Sequence, residues 1–368
     1  MTILFQAARL TLPTLFFGYA IMANLVLFTT QHPDVILPET GLLSGGLTRD
    51  LDDLYKKDLP HTDLSFGLIG AARYVVLGEA RQGVLVGENG WLFSTEEVRP
   101  LPTDAQLTAI VATIRNIRTQ LAADGTDLVI VPLPSKIDIY RAHSPDTALG
   151  HALEALYAEF SARLKTDGVA VVDARTVLLD PIDPVFFATD THWTAHGAGR
   201  VAGAIRASGT ILPGKLAFDR GQGDTKAFSG DLVGFVTTPM MALRIGLPAE
   251  RIRISPLVRA DAETDIFGSA AQDIVLVGTS YSANSDWGFA DAVMQTLGRD
   301  VVSVAEQGLG PLEPMQRFLA SPMYQDAPPA VVIWEIPVRY LTDPALWPNR
   351  AKADPEIAAM LRKESQDG

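Results

Sequence analysis

Asp190 and His192 stand two residues apart in the run Ala188-Thr-Asp190-Thr-His192-Trp193. In extended backbone, side chains at i and i+2 point to the same face, so both are expected to face one cleft. An Asp that orients and charges a His forms two parts of a nucleophilic triad, and a hydroxyl or thiol is the third. The chain contains no Cys, so that third group has to be Ser or Thr. The segment Gly278-Thr279-Ser280-Tyr281-Ser282 offers one, directly after the apolar run Ile274–Val277 and ahead of a helix-compatible stretch. Glycine permits the sharp turn between a strand and a nucleophile. A Ser at that junction lies beside helix N–H groups able to hold an oxyanion. The plain alternative is that Thr279, Ser280 and Ser282 only cap the helix.

Other chemistries fit the same residues less well. Asp190, His192 and His196 give Asp-x-His-x₃-His, but a catalytic metal needs three well-oriented ligands and an open position. His196 is expected inside the following helix while His192 precedes it, so a shared ligand face is not assured. No metal or other cofactor is expected. His32, His61, His143 and His151 belong to no ligand-like cluster, and among 43 acidic residues no pair stands out for glycoside hydrolysis. Asp190 and His192 could also form a hydrogen-bonded turn that introduces the helix.

The elements that must position these residues alternate along the chain. Asn89-Gly90, between Val84–Val86 and Trp91–Phe93, predicts a hairpin. Thr103 caps an amphipathic helix to about Ala123, ended by Gly125. Strands are expected at 128–133 and 169–172 around a helix at 152–165, and Thr194 caps a helix through Arg206. Residues 212–262 are rich in Gly and Pro, and their elements are not placed. Strands at 273–277, 300–304 and 330–334 then alternate with helices at 285–297 and 312–319. Continuous Val/Ile/Leu runs between helices predict an α/β domain with a parallel sheet covered on both faces.

With 47% hydrophobic and 20% charged residues, the chain is a folded protein rather than a disordered one. Its net charge of −13 argues against nucleic-acid partners, and any acidic glycan would need a local basic cleft. From Leu10 to Thr29 there are twenty uncharged residues, enough to cross a bilayer as a helix. A cleavable signal peptide would have a shorter apolar region, so an uncleaved anchor over residues 1–31 is the expectation, with cleavage and a soluble periplasmic product as the alternative. Arg9 before the span, with Asp34 and Glu39 after it, predicts a cytoplasmic N-terminus and the bulk of the chain outside. Residues 32–83 are expected as a juxtamembrane spacer with a short helix near residues 50–57. The domain is expected at 84–345, followed by a solvated tail at 346–368.

Five motifs carry a family resemblance. Gly87-Glu-Asn-Gly-Trp-Leu-Phe93, Pro132-Leu-Pro-Ser-Lys136 with Tyr140, Asp190-Thr-His-Trp193, Val277-Gly-Thr-Ser-Tyr-Ser282 and Trp334-Glu-Ile-Pro-Val-Arg-Tyr-Leu341 occur in this order. Together they resemble the periplasmic alginate O-acetyltransferase family, with its SGNH-hydrolase-like domain, over roughly residues 80–345. The resemblance implies a triad of Asp190, His192 and Ser280, with Ser282 as the fallback nucleophile. Its chain order is permuted relative to ordinary SGNH hydrolases. It also makes Tyr281, Gly308, Gly310 and Arg339 oxyanion or substrate candidates, although Arg339 could instead pair with Glu335. The chain resembles the shorter, membrane-anchored branch, without the carbohydrate-binding module of larger members. The implied activity is transfer of acetyl to hydroxyls of an exported polysaccharide at the inner membrane. A membrane-bound O-acyltransferase is the implied acetyl-donating partner. A polysaccharide acetylesterase with the same triad, or a non-catalytic scaffold of an export complex, are the alternatives.

Overall fold

The computed structural model describes residues 2–30, 48–49, 52, 54–56, 59–179, 183–260 and 273–347. The chain divides into two compact units, Met1–Leu77 and Gly78–Gly368. In the first, helix α1 (Thr2–Thr30) is long and apolar enough over Thr11–Thr30 to cross a membrane. Leu12, Leu15, Phe16 and Ile21 are exposed on it. A second helix, α2 (Thr62–Leu77), extends across the end of the segment expected to be a spacer. The short helix anticipated near 50–57 lies partly outside the described residues, as does the tail anticipated at 346–368, of which Trp347 is described and is buried, donating to Tyr340 O at 2.9 Å.

The second unit is built on a five-stranded sheet, β3 (Asp127–Leu133), β4 (Ala170–Val171), β9 (Ile274–Val277), β10 (Val301–Ser303) and β11 (Val331–Pro337), in the order β10-β9-β11-β3-β4. Every pairing in it is parallel. The apolar runs are continuous because both faces are covered. One row of strand residues (Val129, Val131, Ile274, Leu276, Ile333) packs in a core with helices α6 (Ala195–Ala207) and α8 (Phe289–Leu297). The alternate row (Leu128, Ile130, Val275, Val277, Trp334) packs with α3 (Asp104–Ala123), α5 (Thr147–Thr166) and α9 (Leu312–Ala320). At roughly 1.5–3 kcal/mol for each fully buried large apolar side chain, these two layers dominate the stability of the unit. Thr103 and Gln106 close a reciprocal capping box on α3, which Gly125 follows in a left-handed conformation at φ 78°.

The hairpin predicted at Asn89-Gly90 is present. Strands β1 (Val84–Val86) and β2 (Leu92–Ser94) pair antiparallel, and Asn89 takes the left-handed conformation at φ 56°. The unplaced stretch 212–262 proves to contain two antiparallel ribbons. Strand β5 (Phe218–Arg220) pairs with β8 (Leu257–Arg259), and β6 (Asp224–Phe228) pairs with β7 (Glu250–Ile254). Both are short and largely exposed, which explains their weak hydrophobic pattern.

Candidate active site

Ser280 sits where such folds gather chemistry, at the carboxyl end of a central strand. Strand β9 ends at Val277, Gly278 turns the chain, and Ser280 opens the short helix α7 (Ser280–Ala283) with Thr279 as its cap. A side chain at Gly278 would meet Glu335 Oε2 at 2.5 Å, so the turn lies against β11. The Ser280 hydroxyl lies 2.8 Å from His192 Nε2, and His192 Nδ1 lies 2.7 Å from Asp190 Oδ1. An ionised carboxylate only accepts hydrogen bonds, so Nδ1 carries the proton and Nε2 is left to accept from Ser280. Asp190 is buried, and burial pushes its carboxyl upward. Donation from His192 and from the Asp231 amide outweighs that and holds it below the usual carboxylate range.

Asp190 and His192 are presented by a bend, not by the extended segment that the i, i+2 spacing suggested. Residues 188–192 form bends closed by a bridge between Phe186 and Trp193. Asp190 Oδ1 also accepts the His192 amide at 2.8 Å, so a local side-chain turn, not a pleat, brings both groups to one side. Trp193 and Tyr281 lock this loop to the Ser280 turn. Trp193 Nε1 donates to Tyr281 O at 3.1 Å, and Tyr281 Oη donates to Thr191 O at 2.8 Å. The Tyr281 side chain is therefore a buried strut.

Several residues without an assigned role complete the support. Lys136 is fully buried and its Nζ donates to Leu92 O (2.6 Å), Ala188 O (3.0 Å) and Asp190 O (2.9 Å). It thus ties the β1–β2 hairpin to the Asp190 loop. Burial lowers its pKa to about 8, against the pull of Glu97 and Asp190. Asp231 donates its amide to Asp190 Oδ2 at 2.8 Å, accepts the Thr191 amide at 2.8 Å, and places Oδ2 3.8 Å from His192 Nδ1. Burial, and then the Asp190 charge, push the Asp231 carboxyl upward, although 43% of its side chain stays exposed. Glu250 on β7 accepts the Thr189 amide at 2.7 Å. Lys136 lies in a quoted motif, but Asp231 and Glu250 lie in the irregular stretch, and nothing in the local pattern marked them.

The remaining candidates fall elsewhere. Ser282 is buried and donates to Glu335 Oε2 at 3.0 Å, away from His192. Glu335 also accepts the Thr279 amide at 2.8 Å. It makes no ion pair with Arg339 among the described residues. The Arg339 guanidinium lies instead 3.6 Å from Glu96 and donates to Tyr340 Oη at 3.0 Å, with Nε and Nη1 lacking a hydrogen-bond partner among the described residues. Gly308 and Gly310 lie on the loop after β10, whose Glu306 amide donates to Gly278 O at 3.2 Å. No hydrogen bond joins either glycine to Ser280 or His192 among the described residues. His196 stays in α6, apart from the carboxylate cluster. Asp190, His192 and Asp231 do bring ligand-type atoms within 4.8 Å of one another, but amide or imidazole N–H groups already bond both carboxylates.

Residues 84–338 match the family described as "SGNH hydrolase-like domain, acetyltransferase AlgX". The chain belongs to this SGNH-hydrolase-like acetyltransferase family. It is 33% identical over 336 residues to the probable alginate O-acetylase AlgJ of Pseudomonas fluorescens, covering 88% of this chain and 84% of that protein. Against the namesake from Pseudomonas aeruginosa it is 34% identical over 319 residues, covering 82% of each. The solved O-acetyltransferase domain of Pseudomonas putida AlgJ superposes with a TM-score of 0.62 at 32% identity, over 77% of this chain and all of that one. Pseudomonas aeruginosa AlgX, at 23% identity and a TM-score of 0.55 over 71% of this chain and 67% of that one, shares the fold. The parallel sheet with helices on both faces is thus the SGNH-like architecture expected from the motifs.

Proposed function

We propose that this protein is a serine O-acetyltransferase that moves acetyl groups to hydroxyls of an exported polysaccharide. One observation carries the reading: His192 bridges Asp190 at 2.7 Å and Ser280 at 2.8 Å, with the Nδ1 proton committed to Asp190. Nε2 takes the proton as Ser280 Oγ attacks the acetyl carbonyl, and the imidazolium is held by Asp190. The donor's leaving group takes the proton from His192 and departs, leaving acetyl as an ester on Ser280. A sugar hydroxyl then attacks that ester while His192 removes its proton, and Ser280 leaves with the proton restored. Similarity to the probable alginate O-acetylases supports an alginate-like acceptor. Helix α1 supports anchoring in the inner membrane, with residues 84–345 as the periplasmic catalytic domain. A membrane-bound O-acyltransferase is the proposed source of acetyl.

The test is an acetyl-trapping experiment on the full chain in detergent. Incubation with a chromogenic acetate ester should place one acetyl group on Ser280, detected by peptide mass spectrometry. Chasing with an oligosaccharide should move that group onto sugar. Acetyl recovered only as free acetate would assign the site to an esterase. Undiminished turnover in Ser280→Ala would remove the triad altogether.

A further inference from the structure

Beyond the end of β11, the turn Val338–Thr342 brings Arg339 against Tyr281, the residue that follows Ser280. The guanidinium carbon lies 5.3 Å from the centre of the Tyr281 ring and 4.8 Å from that of Tyr340, so the buried cation rests on two aromatic rings. Hydrogen bonding serves it poorly. Tyr340 Oη accepts from Nη2 at 3.0 Å, whereas Nε and Nη1 have no acceptor among the described residues. Glu96, its ion-pair partner, stands 3.6 Å away, beyond hydrogen-bonding reach, and its side chain is partly in solvent. Two buried carboxylates of this region are committed elsewhere, Glu97 to the Lys136 and Ile137 amides and Glu335 to Thr279 and Ser282.

A buried guanidinium with two unsatisfied N–H groups is costly, and an apolar side chain of similar volume is often as stable in such a place. Stability alone therefore does not account for it. A desolvated cation is drawn to the negative face of an aromatic ring, and the flat guanidinium stacks there as an ammonium does not. Burial raises the Tyr281 hydroxyl well above its usual range, so the ring stays neutral and the attraction acts through its face. Tyr281 is also the strut between the two halves of the site. Its hydroxyl donates to Thr191 O at 2.8 Å, its backbone carbonyl accepts from Trp193 Nε1 at 3.1 Å, and its ring centre lies 4.9 Å from that of His192. A displacement of this ring reaches both Ser280 and the loop that carries His192.

We propose that Arg339 is a positioning residue for the acetyl transfer: seated on the Tyr281 ring, it fixes the start of α7 so that the Ser280 hydroxyl stays aligned with His192 Nε2. The inference rests on Ser280 as the acetyl-accepting group. It adds a residue that acts through Tyr281 and not on the reacting atoms.

The test is a kinetic cycle on the full chain in detergent with a small acetate ester. Active sites are counted by labelling to completion with a fluorophosphonate, so that unfolded protein does not enter the rates. Arg339→Met should lower kcat per site about tenfold or more, with KM changed by less than about twofold, because the loss lies in the alignment of the reacting atoms. Arg339→Lys, which keeps a cation over the ring, should recover part of that loss and stay within about threefold of the parent. In a Tyr281→Phe background the ring remains, and Arg339→Met should still cost about tenfold. In Tyr281→Leu the ring is gone, and the same substitution should change kcat by less than about twofold. An unchanged kcat per site in Arg339→Met, with only a lower melting temperature, would overturn the proposal, as would an equal loss in the Tyr281→Leu background. If Arg339→Met does not fold, Arg339→Lys replaces it in the cycle, and its smaller loss should persist in Tyr281→Phe and vanish in Tyr281→Leu. If Tyr281→Leu does not fold, an Arg339→Lys no faster than Arg339→Met would overturn it. Label found on a residue other than Ser280 would reject the transfer reading itself, whereas label on Ser280 with an unaltered Arg339→Met would reject this role alone.

Discussion

Glu335 accepts the Thr279 amide at 2.8 Å and the Ser282 hydroxyl at 3.0 Å, so one buried carboxyl grips the turn on both sides of Ser280. Burial raises its pKa from 4.5 to about 7, against these donors and the more distant Arg339 charge. Between those two values the unfolded chain gives up this proton while the folded protein keeps it. The stability contributed by Glu335 is therefore complete below pH 4.5 and is lost as pH rises through about 7. Glu335→Gln imitates the protonated acid and should gain relative stability over that window. A shift of this size corresponds to an upper value of about 3–4 kcal/mol. Urea unfolding of both proteins at each end of the window checks this, and a stability difference independent of pH would count against it.

Asp231 adds a second carboxylate 3.8 Å from His192 Nδ1. Removing its charge should make the imidazolium formed during Ser280 attack less favourable. In Asp231→Asn, the acid limb of the kcat/KM profile for a small acetate ester is expected to move to lower pH. The expected displacement is at most about one unit, because the side chain remains partly exposed. An acid limb that stays in place would show that Asp231 acts only through its amide bond to Asp190.

Lys136 ties the carbonyls of Ala188 and Asp190 to that of Leu92 on β2, and Lys136→Met would leave Leu92 O and Asp190 O without that donor, while Ala188 O keeps the Leu92 amide at 2.9 Å. Each unsatisfied buried carbonyl costs about 1–3 kcal/mol, partly recovered by relaxation. The variant is expected to lose about tenfold or more in kcat through displacement of the acid–base loop, with a lower melting temperature. Equal kcat at a lower melting temperature would reduce Lys136 to a fold-stabilising residue.

The layers of the fold were legible because their cause is local. Runs such as Ile274–Val277 and Val331–Pro337 are buried on both faces, and continuous hydrophobicity states that directly. The Thr103 and Thr194 caps likewise sit where the side chain meets the helix start. The Asp190–His192 spacing was informative for a different reason from the one supposed: the pair converges through a side-chain turn. What stayed illegible acts across the chain. Glu250 reaches Thr189 over 61 residues, and Lys136 reaches Asp190 over 54. Their roles depend on tertiary placement that no periodicity encodes. Strands β5, β6 and β8 are largely exposed and lack the alternation by which a half-buried strand is recognised, and β7 alternates Arg251 and Arg253 with Ile252 and Ile254 over only five residues inside the stretch 212–262.

Gly230 tests how closely the loop carrying Asp231 must approach the triad. A Cβ there would come within 2.1 Å of Thr189 O and 2.3 Å of its carbonyl carbon, both backbone atoms that cannot swing aside. Gly230→Ala must therefore push apart the segments joined by the Asp231 amide and Asp190 Oδ2. Overpacking of this kind costs about 1–3 kcal/mol, and the moved Asp190 should lower kcat more than KM. Gly234 on the same loop has nothing within 4 Å of its added Cβ, so Gly234→Ala should stay within about 0.5 kcal/mol of the parent and retain activity. Unfolding curves and small-ester kinetics on the two variants decide the matter. If Gly230→Ala behaved like Gly234→Ala, the close approach would be a loose contact, and Asp190 would keep its place without the Asp231 loop.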